Sequence, residues 1–221
     1  MLAGQPDLFE TPINPPPGFR YRQGVIAATE ERLLIRELEK LGFAPFQFHG
    51  FLGKRRVVSF GWRYDFNGSG LQENTDIPDF LMPARNAAAA FANVAPASLQ
   101  QVLLTEYSLG AAIGWHKDRP IFGDVIGISL LSPCTLRFRK KAGAGWDRRS
   151  ISLEPGSAYV LQGAARSEWE HSIPPVSALR YSMTFRTLRI SAGKDRIGFF
   201  LQRNTQVRTQ SLTNVKFVIS S

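Results

Sequence analysis

The stretch "GWHKDRP" places His116 two residues before Asp118, and "SEWEHSIPP" adds His171, one of only three histidines in the chain. In an extended backbone an H-x-D spacing points both side chains to one face. Two neutral imidazoles and a hard carboxylate oxygen are the donors of a facial triad on non-haem Fe(II), which fills three coordination positions and leaves three open. Zinc accepts the same donors, and an isolated H-x-D also fits a hydrogen-bonded surface pair. The segment "RYSMTFR" brings a second chemistry. Period-two alternation puts Arg180, Ser182, Thr184 and Arg186 on one face and Tyr181, Met183 and Phe185 on the other. At a rise of about 3.3 Å per residue the two arginine backbones stand roughly 20 Å apart, so their long side chains can lean inward on a small dianion such as a dicarboxylate. Two arginines on a solvated sheet face are the plain alternative. An anion grip behind a three-ligand site favours iron over zinc.

These residues need elements to hold them. The segment to about Phe19 is rich in proline and is expected to run extended over the surface. A helix is predicted over "ATEERLLIRELEKLGF", with Thr29 as cap, Leu33, Leu34, Leu38 and Leu41 at helical spacing, and Gly42 as terminator. A second fits "MPARNAAAAFANVA", with Pro83 in its first turn and Pro96 beyond its end. From Leu99 the texture changes to "QVLLTEYS", "DVIGISLLS", "CTLRFRKK", "SAYVLQG" and "RYSMTFRTL", short strands bounded by Gly, Pro or Ser. Strands this short and frequent predict a sandwich, barrel or jelly roll, and no internal repeat is present.

The order H-x-D, then H, then R-Y-x-x-T-F-R resembles the AlkB family of Fe(II)- and 2-oxoglutarate-dependent dioxygenases, which act on N-alkylated nucleic acid bases. The resemblance implies a mainly β, α+β fold, a double-stranded β-helix (jelly roll) with supporting N-terminal helices. It implies His116, Asp118 and His171 as iron ligands and Arg180 and Arg186 as grips on 2-oxoglutarate, with O2 as the other cosubstrate. Tyr107 in "TEYSLGAAIGWH" matches the family tyrosine that hydrogen-bonds 2-oxoglutarate, and Ser182 holds a strand position that assists. The chain departs from the family at Thr105, where members often carry Asn. The match is most specific in "LLTEYSLGAAIGWHKDRPIFGDVIGISL" and in residues 171–186. It divides the chain into a proline-rich segment at 1–17, a dioxygenase domain at 18–189 and an unassigned extension at 190–221. The chemistry implied is hydroxylation of an N-methyl carbon, giving a hemiaminal that loses formaldehyde unaided. No second catalytic carboxylate or nucleophile is then required, and Cys134 is assigned a structural role.

Substrate contacts are expected in "FHGFLGKRRVVSFGWRYDF", residues 48–66, where cations interleave with aromatic rings. Arg55 and Arg56 would hold phosphates while Trp62 or Tyr64 stacks on an extruded base. The family's nucleotide-recognition lid lies in the corresponding region and shares an F-G-x-x-Y pattern with "FGWRYDF". A hairpin with core aromatics and solvated arginines is the alternative, and His49 reads as part of that packing. Arg137, Arg139, Lys140, Lys141, Arg148 and Arg149 form a second basic patch on an expected hairpin at 135–153, and Arg166 is the candidate phosphate contact near the iron mouth. The balance of 27 Lys plus Arg against 18 Asp plus Glu suits a polyanionic partner. One cysteine excludes an internal disulfide framework, and no apolar run approaches membrane-spanning length. The expectation is a soluble, cytoplasmic, monomeric enzyme that demethylates DNA or RNA. The rivals are the same oxygenase chemistry on a protein side chain or small molecule, and a non-catalytic nucleic-acid-binding jelly roll.

Overall fold

The computed structural model describes residues 14–48, 51–65 and 70–189. In chain order the elements are β1 (Phe19–Arg22), α1 (Ala28–Leu38), β2 (Ala44–Phe48), β3 (Phe51–Asp65), β4 (Gly70–Glu73), α2 (Met82–Ala92), β5 (Leu99–Tyr107), β6 (Ile113–His116), β7 (Phe122–Leu130), β8 (Cys134–Ala142), β9 (Gly145–Leu153), β10 (Ala158–Leu161), α3 (Gly163–Ser167), β11 (Glu170–Ile173) and β12 (Arg180–Leu188).

Every strand pair among the described residues is antiparallel. The larger sheet runs β1-β10-β7-β12-β5-β3-β2, with β4 attached to β3, and the smaller runs β6-β11-β8-β9. Strands β5 to β12 thus pass back and forth between two facing sheets, which is the double-stranded β-helix expected. Two apolar layers follow. Leu34, Leu38, Leu81, Ala84, Ala88, Phe91, Ile126, Ile128, Met183 and Phe185 fill the layer between the helices and the larger sheet. Phe19, Tyr107, Val125, Leu136, Phe138, Ile151, Leu161 and Trp169 make up the other.

The alternation of β12 divides its residues as the sequence pattern requires. Tyr181, Met183 and Phe185 join the helix-side layer, and Arg180, Ser182 and Arg186 face the opposite way, yet all three are buried. The five strands expected after Leu99 are present, as is the 135–153 hairpin, formed by β8 and β9 around a two-residue turn. His171 lies within the short β11.

The helix ends differ from expectation. Ala27, not Thr29, occupies the N-cap position, and α1 stops at Leu38, four residues before Gly42. Glu30 and Glu31 in the first turn favour the positive helix end, and Glu31 Oε1 also accepts the Leu131 N–H at 2.7 Å. Leu33 is 61% exposed, so the buried stripe rests on Leu34 and Leu38. In α2, Ala84, Ala88, Ala89 and Ala92 let the helix lie close to the sheet, and Asn93 ends it in the left-handed conformation. Gly61 bends β3: its φ is +76°, and a Cβ there would strike the Gln100 carbonyl of the neighbouring chain segment.

Candidate metal centre

His116 and His171 are directly opposite one another on β6 and β11, with ring centroids 4.2 Å apart. The His116 Nδ1 lies 2.9 Å from the Gly114 carbonyl. A carbonyl only accepts, so Nδ1 carries the proton and Nε2 keeps the lone pair a metal needs. Asp118 completes the set: the three residues each offer a ligand atom, and these atoms lie within 4.8 Å of one another. Strand β6 ends at His116, so Asp118 comes from the following loop and not from simple alternation. Two arginines fix it there. Arg186 donates Nε and Nη2 to Asp118 Oδ1 at 3.1 and 2.9 Å, while Arg166 Nη1 donates to the Asp118 backbone carbonyl at 3.2 Å. Oδ2 turns toward His171 Nε2, 3.6 Å away.

The electrostatics set the right protonation states. Burial pushes the Asp118 carboxyl up, but Arg186 and the two imidazoles outweigh it and hold the group well below the usual carboxylate range. Burial, aided by His116 and opposed by Asp118, pushes His171 down to about 3. Burial also lowers His116. At neutral pH the cluster is therefore two neutral imidazoles and one carboxylate, the donor set of a facial triad.

Arg180 and Arg186 differ in what they touch. Arg186 is engaged already, on Asp118 and, through Nη1, on Gln101 Oε1 at 2.9 Å. Gln101 in turn bonds Ser59 Oγ at 3.1 Å, so a polar chain links the metal loop to β12, β5 and β3. Arg180 is 1% exposed, sits opposite Tyr107 on β5 and lies 5.0 Å from its ring centroid. Its Nε reaches Ser129 Oγ at 3.2 Å, and Nη1 has no hydrogen-bond partner among the described residues. A buried guanidinium with an idle N–H and no paired carboxylate calls for an anionic ligand. The donor cluster and this cation fit Fe(II) with 2-oxoglutarate. Ser182 is buried between Ser129 and Thr105 on the flanking strands.

The expected substrate residues separate. Arg56 leaves the site: it donates to Glu106 at 3.1 Å and to the Phe43 carbonyl at 2.9 Å. Arg55 turns toward the site, with its guanidinium 3.8 Å from the Phe46 ring centroid and Tyr107, Arg186 and Asp118 as electrostatic neighbours. Phe60 packs on the helix-side core and Trp62 is half-buried. His49, Phe66 and the Tyr64 side chain lie outside the described residues.

Arg166 does not present itself to a phosphate. It is 5% exposed and donates to the backbone carbonyls of Asp118, Arg119, Phe122 and Gly123, so it staples the metal loop. Isolated arginines carry no sequence mark of that role; only the fold shows four carbonyls converging on one fork. In the β8–β9 patch Arg139 lies 4.6 Å from Trp115 and 4.3 Å from Trp146, Lys140 pairs with Glu168, and Arg149 with Asp147, while Lys141 and Arg148 are exposed.

Residues 19–194 match the model of the 2OG-Fe(II) oxygenase superfamily, and the chain belongs to it. Its relatives include an Arabidopsis thaliana protein described as an alkylated DNA repair protein, ALKBH8 homolog, 26% identical over 193 residues and 76% of this chain. The mitochondrial alpha-ketoglutarate-dependent dioxygenase alkB homolog 7 of Bos taurus is 30% identical over 156 residues, 69% of this chain. The chain spans 53% and 65% of the lengths of these two relatives. The solved structure of OsALKBH1 shares the fold, with a TM-score of 0.60 at 18% identity over 77% of this chain and 98% of its own. Within the superfamily the protein is an AlkB-family member.

Proposed function

We propose that the protein is an Fe(II)- and 2-oxoglutarate-dependent dioxygenase that removes N-alkyl groups from nucleic acid bases. The observation that carries it is the convergence of the His116, Asp118 and His171 donors with the unpartnered Nη1 of buried Arg180. Fe(II), with 2-oxoglutarate and O2, supplies an oxidant able to hydroxylate an unactivated C–H bond. The chain's residues do the positioning. His116 and His171 offer neutral lone pairs, and Arg186 occupies Oδ1 of Asp118 so that Oδ2 is left for the metal. Arg180 takes the distal carboxylate of 2-oxoglutarate by a charge-assisted bond, with the Tyr107 ring against its face.

With these bound, one oxygen atom of O2 would go to the substrate carbon and the other to the oxo acid, which would leave as succinate and CO2. The hydroxylated N–CH2OH then breaks its C–N bond to give the free base and formaldehyde, which needs no dedicated acid from the protein. Three observations support a nucleic acid substrate: kinship with a DNA repair protein, the excess of cations over anions, and the interleaving of Arg137, Arg139 and Lys141 with Trp115 and Trp146 on the smaller sheet.

The test is a panel of methylated oligonucleotides and peptides incubated with the protein, Fe(II), ascorbate and 2-oxoglutarate. Mass loss of one methyl group from an oligonucleotide, with matching formaldehyde and succinate, is expected. Turnover confined to peptides would move the same centre to a protein substrate.

A further inference from the structure

The charge around the metal constrains the substrate more narrowly than the family does. Arg56 pairs with Glu106 across β3 and β5. Its neighbour Arg55 therefore falls on the opposite face of β3, the face that Tyr107, the residue after Glu106, takes on β5. The Phe46 ring on β2 seats the flat guanidinium. Tyr107 is paired across β5 and β12 with Arg180, so Arg55 shares the sheet face that carries the 2-oxoglutarate grip, with His116, Asp118 and Arg186 among its electrostatic neighbours.

No described carboxylate is bonded to Arg55. Asp118 is held by Arg186, Glu106 by Arg56 and Tyr181, Asp124 by Gln162 and Glu170 by Arg139. A bound dicarboxylate would be matched at its distal end by Arg180. Arg55 is then an additional positive charge facing the space where a base must present its alkyl group.

From this geometry we infer that Arg55 is a specificity-determining residue that selects alkylated bases carrying no positive charge. The inference rests on the demethylation reading above. Methylation at N3 of cytosine leaves the ring cationic at neutral pH, and beside Arg55 such a base meets like-charge repulsion in a partly desolvated site. Methylation at N3 of thymine leaves the ring neutral, with carbonyl oxygens that can accept from the guanidinium.

The experiment uses two oligonucleotides of one sequence, carrying a single 3-methylcytosine or a single 3-methylthymine. Fluorescence anisotropy reads affinity, formaldehyde release reads turnover, and a 2-oxoglutarate titration reads cosubstrate demand. The wild-type protein should favour 3-methylthymine by about tenfold or more in both affinity and kcat/KM. Arg55→Lys should keep the preference, Arg55→Gln should reduce it, and Arg55→Glu should reverse it, with half-saturation by 2-oxoglutarate changed by less than about twofold.

An unchanged ratio across these folded variants would overturn the inference. So would a defect confined to 2-oxoglutarate demand, which would make Arg55 a cosubstrate grip. Continued consumption of 2-oxoglutarate with neither oligonucleotide demethylated would instead overturn the demethylation reading, and this inference with it.

Discussion

At the scale of single residues, the centre is a set of mutual obligations. Asp118 serves the metal with one oxygen and Arg186 with the other. Asp118→Ala should abolish 2-oxoglutarate turnover and also destabilise the domain by about 3–5 kcal/mol, because Arg186 is left buried without its partner. Asp118→Asn should lose turnover while recovering much of that stability, as urea denaturation would show. Arg180→Lys should raise the 2-oxoglutarate concentration needed for half-maximal rate by about 10- to 100-fold, since an ammonium cannot serve Ser129 and a carboxylate with one rigid fork. Calorimetric titration of 2-oxoglutarate into the metal-loaded protein checks it.

His171 sets an acid limit on the metal-free fold. Its folded value of about 3 lies below the ordinary 6.5, so between those values the unfolded chain takes up a proton that the folded chain refuses. Stability from this group is therefore complete above pH 6.5 and falls as pH drops toward 3, by up to about 1.4 kcal/mol per pH unit. His171→Gln should flatten urea-derived stability over pH 4–6.5, with a remaining slope from His116.

Between elements, the feature that decides the site is the loop joining β6 to β7, because it carries Asp118 and has no strand to define it. Arg166, from α3, supplies the definition through four backbone carbonyls. Arg166→Gln should weaken metal binding by about tenfold and lower stability, although the residue touches no metal, since ligand-supporting groups typically cost that much when lost; metal-dependent fluorescence quenching gives the affinity. This was the least legible part of the sequence. The two histidines, the aspartate and the paired arginines showed themselves by type and spacing, and alternation in "RYSMTFR" correctly turned Arg180 and Arg186 to one face. The roles of Arg166 and Arg55 did not: both were expected at phosphates, but neither a short helix such as α3 nor the run Arg55-Arg56 has a pattern that says which arginine meets backbone carbonyls, a cavity or solvent. Thr29 failed as a cap for a related reason: helix starts depend on where the preceding chain enters, and here Ile26 is tied by its N–H to the Gly156 carbonyl at 3.0 Å.

For the whole molecule, cationic excess and enclosed chemistry are distributed separately. The metal centre is buried between the sheets, whereas exposed Arg and Lys side chains lie on the β8–β9 hairpin. Replacing Arg148 and Lys141 by Gln should leave 2-oxoglutarate decarboxylation unchanged but reduce the salt dependence of oligonucleotide affinity, by up to about one unit of logarithmic slope per lost phosphate contact; anisotropy at several salt concentrations measures it. The position of β12 has a further bearing, on biosynthesis. The last strand of the domain lies in the middle of the larger sheet, between β7 and β5. Until the ribosome has released residues 180–188, both of those strands present bare edges and the growing polypeptide has neither arginine of the site. The domain thus cannot mature progressively from its amino end, and a nascent chain stalled before Arg180 is a species with two sticky edges and no means of retaining 2-oxoglutarate. The three metal donors are synthesised before β12, so it is the capture of 2-oxoglutarate that waits until the last strand closes the larger sheet.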